Sequence, residues 1–347
     1  MRLDLHRHLE GSHSPAALAS VAAQFKLTDP LFYDTATARY RTPAQLAAGL
    51  TMAGPSDDAT VFYECIKKAR AAYVSEAAIG ELARLTFLEA AADTDGFEMR
   101  VSLFSMTRTL LENERTSWRE LPPAQFAERA RRLLLAVLTA RDSAAAEAKK
   151  PMLVRVGFSR TFESEPHYRA LAAVLPEHKA ALSGLDVLGI VTGADTEPMP
   201  PALRGLLEGL RAHLPDLTLH AGEFAGHGSV DRMLELRPDA IGHGVHSLES
   251  DATLQRLERD GVTLEVCPTS NLMLIPTALT RLEQLRGATP LRALQQARVH
   301  CVLGSDDPTP MGTCFSHEWE LAQRLGVDLQ RLEADTLRRW QQLPRVG

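Results

Sequence analysis

The chain has 347 residues, of which 45% are hydrophobic, and its formal net charge is −6. This composition can supply a large buried core, and the negative charge argues against binding to nucleic acid or to an anionic membrane surface. No apolar run is long enough to span a bilayer and no signal-peptide pattern precedes the first predicted strand, so we expect a cytoplasmic protein.

The first predicted strand carries two histidines on one face. Leu3 and Leu5 alternate with polar residues, and His6 and His8 have the same spacing of two. Side chains two apart on a strand point to the same side, so the two imidazoles share a face opposite the leucines. Such a pair can ligate a divalent metal such as Zn²⁺, although a lone His-x-His pattern is more often an exposed polar face.

The connection between the first and second predicted strands is long. It covers residues 12–95 and should form several helices, and Ser14 followed by Pro15 is typical of the cap and first turn of a helix. A connection of this size beside an active-site face usually serves as a lid or a binding wall, and we expect that role here.

Short runs that predict strands alternate with helical segments along the whole chain. The eight runs are 2–6, 97–103, 152–158, 186–192, 217–220, 240–243, 262–267 and 300–305, and helical periodicity covers 81–92, 124–140, 202–213 and 229–236. This pattern predicts one domain over residues 1–347, an α/β fold of the (β/α)8 TIM-barrel type with extra helices after the first strand. A doubly wound open sheet is the alternative, but the glycine-rich turn that it normally needs is missing from the sequence.

Polar residues with catalytic chemistry lie at the ends of four predicted strands. They are His6 and His8 on the first strand, His220 and Glu223 on the fifth, His243 on the sixth, and Asp306 and Asp307 on the eighth. The carboxyl ends of all barrel strands converge on one face. One strand-end histidine is often only a hydrogen-bonded core residue, but four such ends in register predict a catalytic site.

Four of these residues match the ligand preference of zinc. Catalytic Zn²⁺ takes imidazole and carboxylate ligands and keeps a position open for water, and His6, His8, His220 and Asp306 supply such a set. Bound Zn²⁺ lowers the pKa of its water from about 16 to roughly 7, which yields hydroxide at neutral pH. The sequence therefore predicts a zinc-dependent hydrolase.

Two further groups remain for proton transfer, and the number of metals is limited. Glu223 and His243 are the candidates for general acid and general base. A two-metal site typically needs a bridging lysine at the end of the fourth strand, and the run 186–192 contains none. We therefore expect one zinc ion per chain.

The order of the motifs resembles one known family. His-x-His-x-Glu-Gly from His6, His-Ala-Gly-Glu from His220, Gly-His-Gly around His243 and Ser-Asp-Asp-Pro from Ser305 are similar to motifs of the adenosine deaminase family in the amidohydrolase superfamily. The resemblance covers residues 6–308. It implies a TIM-barrel aminohydrolase that converts a 6-aminopurine into a 6-oxopurine and ammonia.

The resemblance also implies roles for individual residues. Glu223 would protonate the purine ring nitrogen next to the reacting carbon, and His243 would orient the attacking water and help to deprotonate it. Asp306 would be a catalytic residue as well as a metal ligand, and Asp307 would hydrogen-bond the imidazole-ring nitrogen of the purine. Gly193, or its neighbour Ala194, would offer a backbone N–H to the purine, although the run around it departs from the family's pattern.

Glu10 bears on the choice of substrate. Adenosine-specific members of the family usually carry aspartate at this position for the ribose, whereas glutamate is more typical of adenine deaminases and of relatives that act on modified adenosines. Deamination of adenosine to inosine is the first expectation, with adenine and aminodeoxyfutalosine as alternative substrates. A non-catalytic purine-binding relative is a weaker alternative, because the chain keeps all the predicted ligands and the acid. The sequence leaves the oligomeric state open.

Four charged residues near these motifs are expected to be structural. Glu98 and Arg100 on the second strand should form a buried ion pair beneath the site. Asp195 and Glu197 should be solvated loop charges.

Overall fold

A computed structural model describes residues 1–344 and contains a parallel, eight-stranded barrel. Its strands follow the chain order around the barrel, each hydrogen-bonded to the next. From first to eighth they are Leu3–His8, Gly96–Val101, Met152–Ser159, Gly184–Leu188, Leu217–Ala221, Ala240–His243, Thr263–Val266 and His300–Leu303. The predicted (β/α)8 barrel is thereby confirmed.

The first and last strands meet at a short seam. Arg7 and Asp306 form an isolated parallel bridge there. The backbone N–H of His8 donates to the Asp306 carbonyl at 2.8 Å, and the N–H of Asp306 donates to the His6 carbonyl at 2.8 Å. Predicted metal ligands therefore provide the backbone contacts that close the barrel.

Helices surround the barrel. Those between the first two strands are Pro15–Gln24, Pro43–Leu50, Ala59–Ala69 and Glu76–Asp93, with the short turn Arg70–Ala72 and a small hairpin of Tyr33–Asp34 with Arg39–Tyr40. The later α-helices are Leu103–Asn113, Pro123–Ala148, Glu165–Val174, Pro201–Leu210, His227–Leu234, Asp251–Asp260, Pro268–Leu274, Pro276–Arg286, Pro290–Gln296, Pro308–Met311, Phe315–Arg324 and Leu329–Gln342, and the 3₁₀ turns are Leu175–His178 and Val245–Glu249. Within residues 1–344, no helix is both long and apolar enough to cross a membrane.

Local sequence explains where the inserted helices begin. Ser14 caps the first of them, because its side-chain oxygen accepts a hydrogen bond from the N–H of Ala17 at 3.0 Å and Pro15 occupies the first helical position. This cap satisfies an N–H that the helix itself cannot pair.

A charged cluster fills the amino end of the barrel, opposite the predicted site. Arg339 of the last helix makes two hydrogen bonds to Asp216, at 2.6 and 2.7 Å, and Arg155 of the third strand reaches the same carboxylate at 2.5 Å. Arg155 also donates to Glu98 at 3.0 Å. The expected pairing of Glu98 with Arg100 is therefore wrong, since Glu98 contacts the arginine of the next strand.

The fourth strand ends earlier than predicted. It stops at Leu188 instead of residue 192, because Gly189 adopts a left-handed backbone with φ of +81°. Few side chains tolerate that conformation, and it turns the chain out of the sheet. The connection that follows the strand is therefore longer than the sequence pattern indicates.

Candidate active site

Three histidine side chains meet at the carboxyl end of the barrel. Nε2 of His8 lies 3.3 Å from Nε2 of His6 and 3.2 Å from Nε2 of His220. Two of these residues come from the first strand and one from the fifth, and all three are buried. The fold thus brings together side chains that are more than two hundred residues apart in sequence.

Carboxylates on the outer side of this cluster decide which ring nitrogens face its centre. Nδ1 of His6 lies 3.0 Å from Glu265, and Nδ1 of His220 lies 3.1 Å from Asp186. When Nδ1 donates to a carboxylate, Nε2 presents a lone pair. Burial lowers the pKa values of His8 and His220, which favours neutral imidazoles. Burial also acts against the charged form of His6, but hydrogen bonds to Asp306 and Glu265 outweigh it and raise the pKa of that imidazole. The ligand atoms of the three histidines converge closely enough to hold a metal ion.

The spacing of the cluster fits one divalent metal ion. Around a tetrahedral Zn²⁺ with Zn–N of about 2.0–2.1 Å, neighbouring ligand nitrogens lie roughly 3.3 Å apart. Asp306 adds an oxygen, Oδ1, at 3.3 Å from Nε2 of His8 and 3.6 Å from Nε2 of His6. The four predicted ligands can therefore surround a single ion, and their binding of zinc remains a prediction.

Two residues of the site have left-handed backbones. The φ angle is +58° at Asp306 and +59° at His243. Such conformations cost a non-glycine residue on the order of 1–3 kcal/mol and persist only where the surrounding structure fixes them. At Asp306 the two hydrogen bonds of the barrel seam provide that restraint.

Arg100 connects the carboxylates that hold two of the histidines. Its Nε donates to Asp186 at 2.6 Å, and its Nη2 donates to Glu265. One fully buried guanidinium thus fixes the partners of both His220 and His6. Asp186 and Glu265 were not predicted from the sequence, where the available signal was that each is the single charged residue in a short buried strand.

The candidate acid and base stand side by side next to the cluster. Oε2 of Glu223 lies 3.5 Å from Nε2 of His243, and the side-chain amide of Asn271 lies 3.3 Å from Nδ1 of that imidazole. Burial raises the pKa of Glu223 well above its usual range, and the nearby Asp306 carboxylate adds to the effect. Burial lowers the pKa of His243. Both shifts favour the uncharged forms of the pair, a protonated carboxyl group and a neutral imidazole.

Asp307 provides a second buried carboxyl group at the site. Burial raises its pKa well above the usual range, with a further contribution from the Asp306 carboxylate, which favours the protonated form that can donate a hydrogen bond. Among the described residues, its Oδ1 has no hydrogen-bond partner. Gly11 packs so closely that a Cβ there would lie 1.7 Å from that oxygen.

Glu10 lies near this end of the site. Its Oε1 accepts a hydrogen bond from the N–H of Ser102 at 3.1 Å and lies 3.7 Å from Nη2 of Arg70. Its Oε2 is buried and has no hydrogen-bond partner in the described part of the chain. Arg70, which belongs to the helical insertion, therefore places its guanidinium near the Glu10 carboxylate.

A cavity of about 310 Å³ lies over these groups. The strand-end residues in its wall are His8, Glu10, His220, Glu223, His243, Asp306 and Asp307. Phe62, Tyr63, Ile66 and Arg70 of the inserted segment form another part of the wall. Gly189 and Ile190 also line it, whereas Gly193 lines a neighbouring cavity. The early end of the fourth strand thus brings Gly189, and not Gly193, to the site.

The family assignment follows from a comparison of the sequence with known families. The family described as adenosine deaminase matches residues 2–340, nearly the whole chain. The chain belongs to the adenosine deaminase family. This match confirms the resemblance that the motifs indicated.

Several curated relatives of this adenosine deaminase family member are named adenine deaminase. The protein from Sinorhizobium fredii is 42% identical over 107 residues, which cover 30% of this chain and 31% of the relative. The protein from Chelativorans sp. is 36% identical over 122 residues, which cover 35% of this chain and 36% of the relative. The chain therefore matches about a third of the length of these relatives.

Solved structures share the fold of this family member over most of its length. An adenine deaminase from Arthrobacter aurescens has a TM-score of 0.73 at 20% identity and covers 97% of this chain and 92% of its own. An amidohydrolase from Burkholderia ambifaria with bound Zn has a TM-score of 0.70 at 17% identity, with coverages of 97% and 84%. The N6-methyl-AMP deaminase from Arabidopsis thaliana has a TM-score of 0.68 at 18% identity, with coverages of 96% and 88%.

Proposed function

We propose that the protein hydrolytically deaminates a 6-aminopurine, with the free base adenine as its substrate. The observation that carries this proposal is the meeting of three histidine Nε2 atoms and Asp306 beside the buried carboxyl group of Glu223. That arrangement joins a metal site to a proton donor inside one cavity. Its chemistry matches addition of water to a ring carbon whose neighbouring nitrogen is protonated.

The metal in this proposal is one zinc ion per chain, held by His6, His8, His220 and Asp306. When bound, zinc supplies a Lewis acid and lowers the pKa of a bound water to about 7. Arg100 supports the site from below, since it fixes the two carboxylates that orient His6 and His220. This outer support keeps the ligand nitrogens aimed at one point.

The chain's own residues supply the proton transfers. Glu223 lies at the cavity wall and burial raises its pKa, so in its protonated form it can donate to the purine nitrogen next to C6. His243 lies 3.5 Å from Glu223 and can orient the water and accept its proton. When the C6–N bond breaks, Glu223 and His243 return a proton to the amino group, which leaves as ammonia. Asp307 donates to the imidazole-ring nitrogen and orients the base.

Backbone donors near the purine come from the turn after the fourth strand. Gly189 and Ile190 line the cavity, whereas Gly193 does not. We therefore propose Gly189 for the backbone contact that the family resemblance implied for Gly193 or Ala194. Its left-handed backbone places it at the point where the chain leaves the barrel.

Glu10 offers a hydrogen-bond acceptor to the substrate, because its Oε2 is buried without a partner among residues 1–344. Free adenine would pair with it through the N–H of its imidazole ring, and a nucleoside through a sugar hydroxyl. The choice of the free base over the adenosine first expected is supported by the curated relatives named adenine deaminase.

A nucleoside is the second candidate substrate. Ser105, Arg108, Thr161 and Glu163 add polar groups to the cavity wall beyond those assigned to the purine. These groups could hydrogen-bond to sugar hydroxyls. Adenosine and aminodeoxyfutalosine therefore belong in the test.

Ammonia release decides between these substrates. Adenine, adenosine, 2'-deoxyadenosine and aminodeoxyfutalosine are assayed at equal concentrations with zinc-loaded protein. We expect the highest kcat/KM for adenine and a large loss of that value in Glu10→Ala with unchanged zinc content. A higher kcat/KM for any of the three nucleosides would overturn the choice of the free base, and no ammonia from any of the four compounds would overturn the proposed deamination.

A further inference from the structure

Glu197 lies in the connection between the fourth strand and the helix Pro201–Leu210. The expectation that it is a solvated loop charge is wrong, because the residue is only 1% exposed. Asp195, two residues earlier, fits the expectation: its side chain is 48% exposed and pairs with Arg232. The connection thus has one carboxylate at its surface and one inside the protein.

The buried carboxylate binds the turn that carries Glu223. Four consecutive backbone N–H groups donate to Glu197, those of residues 222–225, at 2.7, 3.0, 2.8 and 3.3 Å in chain order. The hydroxyl of Ser229 donates to the same carboxylate. Successive backbone N–H groups that converge in this way form a nest for an anion.

The backbone of the turn depends on this anion. Gly222 has a φ of +61°, which directs the following N–H groups inward. Without an acceptor at the centre, these N–H dipoles would be buried and unpaired, at a cost comparable with that of lost hydrogen bonds. The carboxylate of Glu197 therefore fixes the conformation in which Glu223 enters the cavity.

A second contact holds the two segments together. Arg160 follows the third strand, is buried, and donates through Nη1 to the carbonyl of Pro198 at 3.0 Å. Its Nη2 donates to the carbonyl of His220. The residue next to Glu197 is thus tied to the strand end just before the acid-bearing turn, which limits movement of one segment relative to the other.

We propose that Glu197 is a positioning residue that holds the acid Glu223 at the reacting ring. It has no direct contact with the substrate in this scheme and acts through the backbone of residues 222–225. The inference rests on the proposed deamination and adds to it the residue that sets the acid's location. It predicts a defect specific to reactions that require protonation of the ring.

Glu197→Gln tests this role, because the substitution turns one acceptor oxygen into an NH₂ group facing N–H donors. We expect kcat for adenine to fall on the order of 10²-fold, the usual effect of a displacement near 1 Å. KM and zinc content should stay within about threefold of the wild type. 6-Chloropurine needs less help from the acid, because chlorine makes C6 electrophilic and chloride leaves without a proton as water adds. Its kcat should fall less than about tenfold.

A double-mutant cycle shows whether Glu197 acts through Glu223. In a Glu223→Gln background, adding Glu197→Gln should reduce kcat by less than about threefold, because residues that act as a unit are not additive. Ser229→Ala removes one donor and should give a smaller defect with the same preference for 6-chloropurine. If Glu197→Gln does not fold, the comparison of adenine with 6-chloropurine is made with Ser229→Ala. Glu208→Gln, an exposed carboxylate on the next helix, is the matched control and should match the wild type.

Three results would overturn the inference. Equal losses on adenine and 6-chloropurine would indicate a general structural role, as would additive losses in the cycle. Loss of zinc from Glu197→Gln would show that the substitution acts on the metal site, through His220. A wild-type protein that releases no ammonia from adenine or its nucleosides would instead refute the proposed function itself.

Discussion

Gly11→Ala should displace Asp307 from the cavity. The added Cβ would lie 1.7 Å from Oδ1, 2.4 Å from Cγ and 2.5 Å from Cβ of Asp307. Carbon atoms pack at about 3.5–4.0 Å, so the carboxyl group must move by roughly 1 Å or more. Gly11 does not have a positive φ, so the substitution adds volume without straining its backbone.

The backbone around Asp307 limits how the clash can be relieved. The Asp307 carbonyl accepts from the N–H of Met311 at 3.2 Å, and the Gly11 carbonyl accepts from the N–H of Thr309 at 2.9 Å. Rotation of the side chain would move Oδ1 and Cγ of Asp307 but not its Cβ, so the backbone at Gly11 or Asp307 must also shift and displace the carboxyl group. We expect stability to fall by about 1–3 kcal/mol, the usual cost of overpacking. The value of kcat/KM should fall on the order of 10²-fold because a binding group is misplaced by about 1 Å.

Urea unfolding, zinc content and kcat/KM on adenine measure the effect. Gly54→Ala is the control, because no heavy atom lies within 4 Å of the position its Cβ would take. In an Asp307→Gly background the three clashing atoms are gone, so Gly11→Ala should cost less than about 0.5 kcal/mol. If Gly11→Ala matches Gly54→Ala in both stability and kcat/KM, the close packing of Gly11 on Asp307 does not control the site.

Three further outcomes follow from the structure. His220→Ala should reduce zinc from about one ion per chain to a small fraction, measured by metal analysis, and full activity without metal would contradict the proposed chemistry. Glu223→Gln should keep the zinc while turnover falls at least ~10²-fold, and loss of zinc would place Glu223 among the ligands. Burial raises the pKa of Asp216, but Arg155 and Arg339 outweigh that effect and hold it well below the usual value of 3.8. The carboxylate's stabilisation is therefore present above about pH 4 and is lost as pH falls further. Urea unfolding at pH 7, 5 and 3 should show the difference in stability between wild type and Asp216→Asn shrinking at the lowest pH, and a constant difference would refute the linkage.

Strand-end residues could be located from the sequence because two simple rules apply to them. A period of two places His6 and His8 on one face, and a parallel barrel gathers all carboxyl ends on one side. The structure brings these residues together with His220 and Asp306 as those rules require. Short motifs at strand ends therefore predict site geometry without knowledge of the intervening helices.

Residues in long connections could not be located in the same way. The conformation between residues 189 and 200 depends on tertiary hydrogen bonds that no local pattern records. Glu197 looks solvated in sequence and is buried because four N–H groups from another segment surround it. The same difficulty affected Gly193, whose predicted position depended on a strand that ends at Leu188.

An ion bound near the seam would affect the closure of the barrel as well as the chemistry. The bridge between Arg7 and Asp306 joins the two ends of the sheet and lies among residues that carry the ligands. An ion bound by His6, His8 and Asp306 would cross-link the beginning of the chain to the segment that follows its last barrel strand, and would stabilise the closed barrel. Release of the ion would leave the backbone hydrogen bonds of the seam to join these two ends of the sheet.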